Sequence, residues 1–139
     1  MELTVSLEGL PFSVSPRLIS LLNAELLSKG LTPTGSDVIF NFRDKSYSPE
    51  SGGYHPVEIR LCKEQDGWHF DYITDFRYVG GPYPELAKDL DFNFTEKCGY
   101  LLYSGYCKAE DCDELYKVWQ QNFISYYWDG VFDEIEISL

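Results

Sequence analysis

Positive charge is scarce in this chain. Eleven Lys and Arg stand against 23 Asp and Glu, a net charge of −12, and no arginine follows Arg77. A polyanion such as DNA is repelled by a field of that sign, so direct nucleic-acid binding is not expected, and neither is an acidic membrane surface as partner. Long apolar runs are also missing: nothing approaches the ~18 residues of a membrane span. The start, Met1-Glu2-Leu3-Thr4-Val5, has neither a basic n-region nor a continuous apolar stretch, so no signal peptide is expected. Cysteine is limited to Cys62, Cys98, Cys107 and Cys112, with no Cys-x-x-Cys spacing. The absence of an export signal makes them reduced thiols of a cytoplasmic protein, and their spacing gives no zinc motif. No Gly-rich loop leads into a helix as a phosphate cradle requires, and no Ser/His/Asp motif is evident. No metal or cofactor is therefore expected.

What is present describes one ordered domain. A chain of 139 residues with 44% hydrophobic and 17% aromatic residues is far from the composition of disorder. At this length, folding buries roughly 65–70% of the unfolded surface, so the core needs no disulfide or metal staple. The acidic charge is uneven, −4 over residues 1–82 and −8 over residues 83–139. It serves as a solvated surface or as a face for a basic partner.

The pattern predicts an α+β fold, in the order β-α-β-β-β-β-β-α-β, with a mainly antiparallel sheet and two helices packed on it. Leu3–Leu7 alternates like a strand. Ser15 as N-cap, Pro16 in the first turn and Gly30 as stop bracket a helix whose apolar face is Leu18, Ile19, Leu22, Leu26 and Leu27. Strands are predicted at Asp37–Arg43, at Tyr54–Gln65 and Trp68–Val79, around Leu90, Phe92 and Phe94, and at Gly99–Tyr106. The segment Asp44–Gly53 reads as a surface loop. Asp111 as N-cap predicts a second helix over Cys112–Trp128, its stripe of Leu115, Trp119, Phe123 and Tyr126 or Tyr127 read as core. Val131, Ile135, Ile137 and Leu139 alternate as a terminal strand.

The chemistry centres on the middle hairpin. With Asp66-Gly67 as a two-residue loop, residues summing to 133 face each other. Leu61, Ile59, Val57 and His55 then share an apolar face with Tyr72, Thr74, Phe76 and Tyr78. On the other face Glu58 lies opposite Asp75, with Arg60 and Arg77 on the diagonals. Like charges across a ladder are destabilising, so Glu58 and Asp75 are candidate catalytic residues, His55 a third, and Arg60 and Arg77 candidate binding residues. The same four charges also fit a solvated ion-pair quartet. His55 reads first as a core histidine hydrogen-bonded to backbone or tyrosine and only second as a catalytic one, and His69 reads as a surface residue.

The run Tyr47-Ser48-Pro49-Glu50-Ser51-Gly52-Gly53-Tyr54-His55-Pro56-Val57-Glu58-Ile59 resembles the signature of a gammaproteobacterial family catalogued as domain of unknown function 2787. The resemblance implies a bacterial cytoplasmic protein of this size. It supplies no activity, but it draws attention to His55 and Glu58. Three functions stay open. The leading one is a non-enzymatic binding or interaction domain for a protein or small ligand, the others a small enzyme using the Glu/Asp pair and an acidic DNA mimic.

Overall fold

The structure, a computed structural model, describes residues 3–139. Helix α1 (Pro16–Ser28) starts where Ser15 accepts a hydrogen bond from the Arg17 amide at 3.1 Å. It ends in a Schellman motif, with the Leu31 amide bonded to the Leu26 carbonyl and Gly30 in the left-handed region at φ 64°. Strands β1 (Asp37–Arg43), β2 (Val57–Glu64), β3 (Gly67–Val79), β4 (Glu85–Asn93), β5 (Cys98–Leu101) and β6 (Gly105–Lys108) follow as a meander. Helix α2 (Ala109–Trp128) then carries the chain back across to β7 (Glu134–Ser138), which pairs with β1. The sheet runs β6-β5-β4-β3-β2-β1-β7, with every pair antiparallel.

Both helices lie on one face of this sheet, as the α+β class requires. Leu18, Leu21, Leu22 and Leu26 of α1 are fully buried with Val38, Phe40, Phe42, Val57, Ile59 and Leu61 of the sheet. Each such side chain contributes about 1.5–3 kcal/mol by leaving water. From α2, Tyr116, Trp119 and Phe123 enter the same cluster, with Phe123 edge-on to Phe42 at 5.1 Å. Among the described residues no helix is long and apolar enough to cross a membrane, and all four cysteines are free thiols.

Four sequence expectations change. Leu3–Leu7 makes only an isolated bridge, Val5 to Trp68, because a turn at Glu8-Gly9 ends the extended run. Gly99–Tyr106 is two strands rather than one, folded back through Tyr103 and Gly105 at positive φ. Helix α2 begins at Ala109, directly after β6, so Asp111 lies in its first turn with Glu110 and supports the helix dipole instead of capping it.

The fourth change is the hairpin register. Glu64 pairs with Gly67, so Gln65-Asp66 is the loop, and Leu61 pairs with Phe70. A bulge then leaves Asp71 unmatched, and beyond it Arg60 faces Tyr72, Glu58 faces Thr74, and Val57 faces Asp75. One extra residue in a strand inverts the parity of everything after it. Asp75 therefore turns to the helix face, while Tyr72 and Thr74 turn to the open one.

Candidate functional site

The open face of the hairpin is the simpler of the two. There Arg60 reaches Asp71 at 2.6 Å and Asp37 at 3.2 Å, and the Tyr72 hydroxyl donates to Glu58. The two candidates Glu58 and Asp75 are on opposite faces, so no carboxylate pair forms between them, and Arg60 stays with Glu58. These outer groups are partly solvated and paired among themselves.

On the helix face the sequence assembles something different. Asp75 is 8% exposed, and a charged group so buried requires close partners. It has two: the Trp119 indole N–H donates to Oδ2 at 2.9 Å, and His55 Nδ1 lies 2.7 Å from Oδ1. A second bulge, in β4, leaves Asp89 without a partner between Leu90 opposite Asp75 and Lys88 opposite Phe76. That extra residue brings Asp89 Oδ2 to 3.6 Å from His55 Nδ1, while its Oδ1 lies 4.0 Å from the Arg77 guanidinium. Of the sequence candidates, then, His55, Asp75 and Arg77 come together, with Asp89 between them.

His55 stands at the end of the 44–56 loop, and the loop is held from within. The Asp44 carboxylate accepts from the amides of Ser46 and Tyr54 and from the Ser46 hydroxyl. Gly53 adopts φ 137°, and a Cβ there would stand 2.9 Å from both Asp44 Oδ2 and Tyr47 Cα, so only glycine fits. Tyr47 packs its ring 5.4 Å from His55 and accepts from the Tyr78 amide at 2.9 Å. The Gly-Gly-Tyr-His run is thus a backbone device that delivers an imidazole to a buried carboxylate.

The electrostatics follow from the geometry. The hydrogen bond to Asp75 raises the His55 pKa above its ordinary value, more than burial lowers it, and both carboxylates add to the rise. Burial raises the Asp89 pKa, Asp75 repels it further, and His55 and Arg77 partly offset both.

Beside this group a cleft of about 340 Å³ opens between the sheet and α2. Trp119, Phe123, Tyr126 and Phe132 form its apolar walls, Asn122 and the His55–Asp75 pair its polar points. Tyr54 meets Tyr126 edge-on at 4.8 Å along one rim. A second hollow, lined by Tyr47, Arg77, Tyr78 and Pro84, lies on the other side of His55. His55 borders both.

Comparison with known proteins gives a family and no activity. The model of the family described as "Protein of unknown function (DUF2787)" matches residues 16–138. The chain belongs to this family. No curated protein matches it. Solved structures do, among them two from Vibrio cholerae. The hypothetical protein VC0508 from the Vibrio cholerae VSP-II pathogenicity island is 38% identical, covering 96% of this chain and 100% of that one, with a TM-score of 0.86. The conserved hypothetical protein VC1805 from pathogenicity island VPI-2 of Vibrio cholerae is also 38% identical, covering 97% and 100%, with a TM-score of 0.83. The latter is described as sharing structural homology with the human P32 protein.

Sequence reasoning missed Asp89, Trp119 as a hydrogen-bond donor, Asn122 and the exposed edge of Tyr126. A signal existed for Trp119. A helix stripe of aromatic residues carries one polar N–H that has to be satisfied when buried.

Proposed function

We propose that this family member is a binding domain whose ligand, a small molecule or the tip of a partner's side chain, seats in the cleft between α2 and the β2–β3 hairpin. The carrying observation is the cleft itself: about 340 Å³, with aromatic walls and polar points supplied by the His55–Asp75 pair and Asn122. Small-ligand sites have that size, roughly 300–1,000 Å³, and that mixture of surfaces. The −12 charge argues for a neutral or basic ligand over an anionic one. A bacterial, cytoplasmic setting agrees with the four free thiols and with the Vibrio source of the solved relatives.

A second reading rests on one detail. Asp75 engages Nδ1 of His55, and Nε2 makes no hydrogen bond to the described residues. An imidazole oriented in this way is equipped for general acid–base work on whatever occupies the cleft. Screening a fragment library against ¹⁵N-labelled protein tests the binding reading. Shift changes are expected to cluster at Gly53–Val57, Asp75 and Trp119–Tyr126. Fragments that perturb only the open face around Arg60 and Tyr72 would overturn it.

A further inference from the structure

We propose that His55, Asp75 and Asp89 form a divalent-cation site. Three separate segments deliver them: the end of the 44–56 loop, β3 and the bulge of β4. One donor atom from each lies within 4.8 Å of the other two. Ligands bound at about 2.0–2.2 Å to one ion are separated by roughly 3–4.4 Å. The 3.6 Å from His55 Nδ1 to Asp89 Oδ2 lies in that range, and the 2.7 Å to Asp75 Oδ1 is a hydrogen-bond distance that has to widen when an ion replaces the proton.

The orientation of each carboxylate is the stronger argument. Asp75 has Oδ2 held by the Trp119 indole and Oδ1 directed at His55 Nδ1. Asp89 has Oδ1 turned toward Arg77 and Oδ2 toward the same nitrogen. In each, one oxygen faces an outer partner, hydrogen-bonded by Trp119 in Asp75 and 4.0 Å from the Arg77 guanidinium in Asp89, while the other faces a common point, as outer-shell groups arrange the ligands of a metal. The bulge matters here as well. A regular β4 would alternate across Leu90, and the unmatched residue is the one that brings a second carboxylate beside Asp75.

Asp75, buried, and Asp89, partly buried, repel each other at short range, and a doubly charged ion reverses the sign of that interaction. Without an ion, a proton on Nδ1 does part of the same work. Binding exchanges the two: the imidazole Nδ1–H bond breaks, the Nδ1–metal bond forms, and the proton leaves to solvent. One nitrogen and two oxygens suit Mn²⁺, Fe²⁺, Co²⁺ or Zn²⁺ rather than soft Cu⁺. Three protein ligands leave at least one position for water or a ligand, beside the cleft that His55 borders.

The test uses the full chain, stripped with EDTA, and Mn²⁺ as probe because it avoids the four thiols. Titration near neutral pH is expected to saturate at one equivalent, with paramagnetic broadening of amides centred on His55, Asp75 and Asp89. His55→Gln and Asp89→Asn, which keep a polar side chain at partly exposed positions, are each expected to weaken binding by roughly tenfold or more. Glu58→Gln on the open face is expected to change nothing. The absence of saturable binding at millimolar Mn²⁺ overturns the proposal, as does unchanged binding in both variants or broadening centred on the acidic start of α2. Fragment binding in the cleft is read in EDTA, so its success or failure is independent of the metal result.

Discussion

On the open face of the sheet Arg60 sits between Asp37 and Asp71 and the Tyr72 hydroxyl donates to Glu58. On the helix face, a few residues along the same hairpin, His55 and Trp119 grip Asp75. Both groups are carboxylates met by side-chain hydrogen-bond donors, and what separates them is cover. Water screens the outer charges, which hold long side chains in place for little gain. Helix α2 removes water from Asp75, so each of its bonds is made in a medium where losing one leaves a buried group unsatisfied. Ion pairs on the outside decorate the fold, whereas those beneath α2 define a place where a ligand changes the electrostatics.

The largest effect that sharpens this contrast is expected from Trp119→Ala. It removes a side chain that stacks on Phe123 at 5.1 Å and strands Asp75 without its indole donor. A loss of about 3–5 kcal/mol in urea unfolding is expected, as for other large aromatic deletions in cores. Arg60→Ala, which deletes the centre of the outer network, is expected to lower stability by only about 0–1 kcal/mol in the same measurement. Equal losses from the two changes would break the comparison.

The smallest effect concerns the loop that carries His55. Hydrogen bonds from Ser46 and the Tyr54 amide lower the Asp44 pKa below its ordinary 3.8. A depressed carboxyl stabilises the fold above its unfolded pKa, and that contribution is lost as pH falls through the folded value. The amide shifts of Ser46 and Tyr54 are therefore expected to move together, with one midpoint below 3.8. In Asp44→Asn that transition is expected to be absent.

Much of the fold was legible because local chemistry agreed with the global result. Ser15, Pro16 and Gly30 bracket α1, and the alternation in Asp37–Arg43 is the alternation seen in β1. The register of the hairpin was not legible, for two physical reasons. Gly67 looks like the second residue of a tight turn, yet it opens β3 at φ 129°, and a Cβ there would stand 2.9 Å from the Thr4 carbonyl oxygen. Its missing side chain serves the crossing of the N-terminal segment, whose Thr4 carbonyl accepts from Trp68. The second reason is the pair of bulges, at Asp71 and Asp89, which leave no mark in a hydrophobic pattern until the partner strand is known. The first bulge turned Asp75 away from Glu58 and toward His55, and the second brought Asp89 beside them. The expected arrangement, with Glu58 opposite Asp75, is not the one the sheet forms.

An NMR pH titration of the His55 ring in metal-free protein tests most directly whether Asp75 organises this site. The imidazolium is expected to persist above its ordinary 6.5, because the raised pKa reflects its bond to Asp75. Its stabilising contribution is complete below that value and is lost as pH rises through the folded pKa. In Asp75→Asn the midpoint is expected to fall back toward 6.5. A wild-type midpoint at or below 6.5, or a raised one that ignores the Asp75 change, would contradict the pairing on which the site is built.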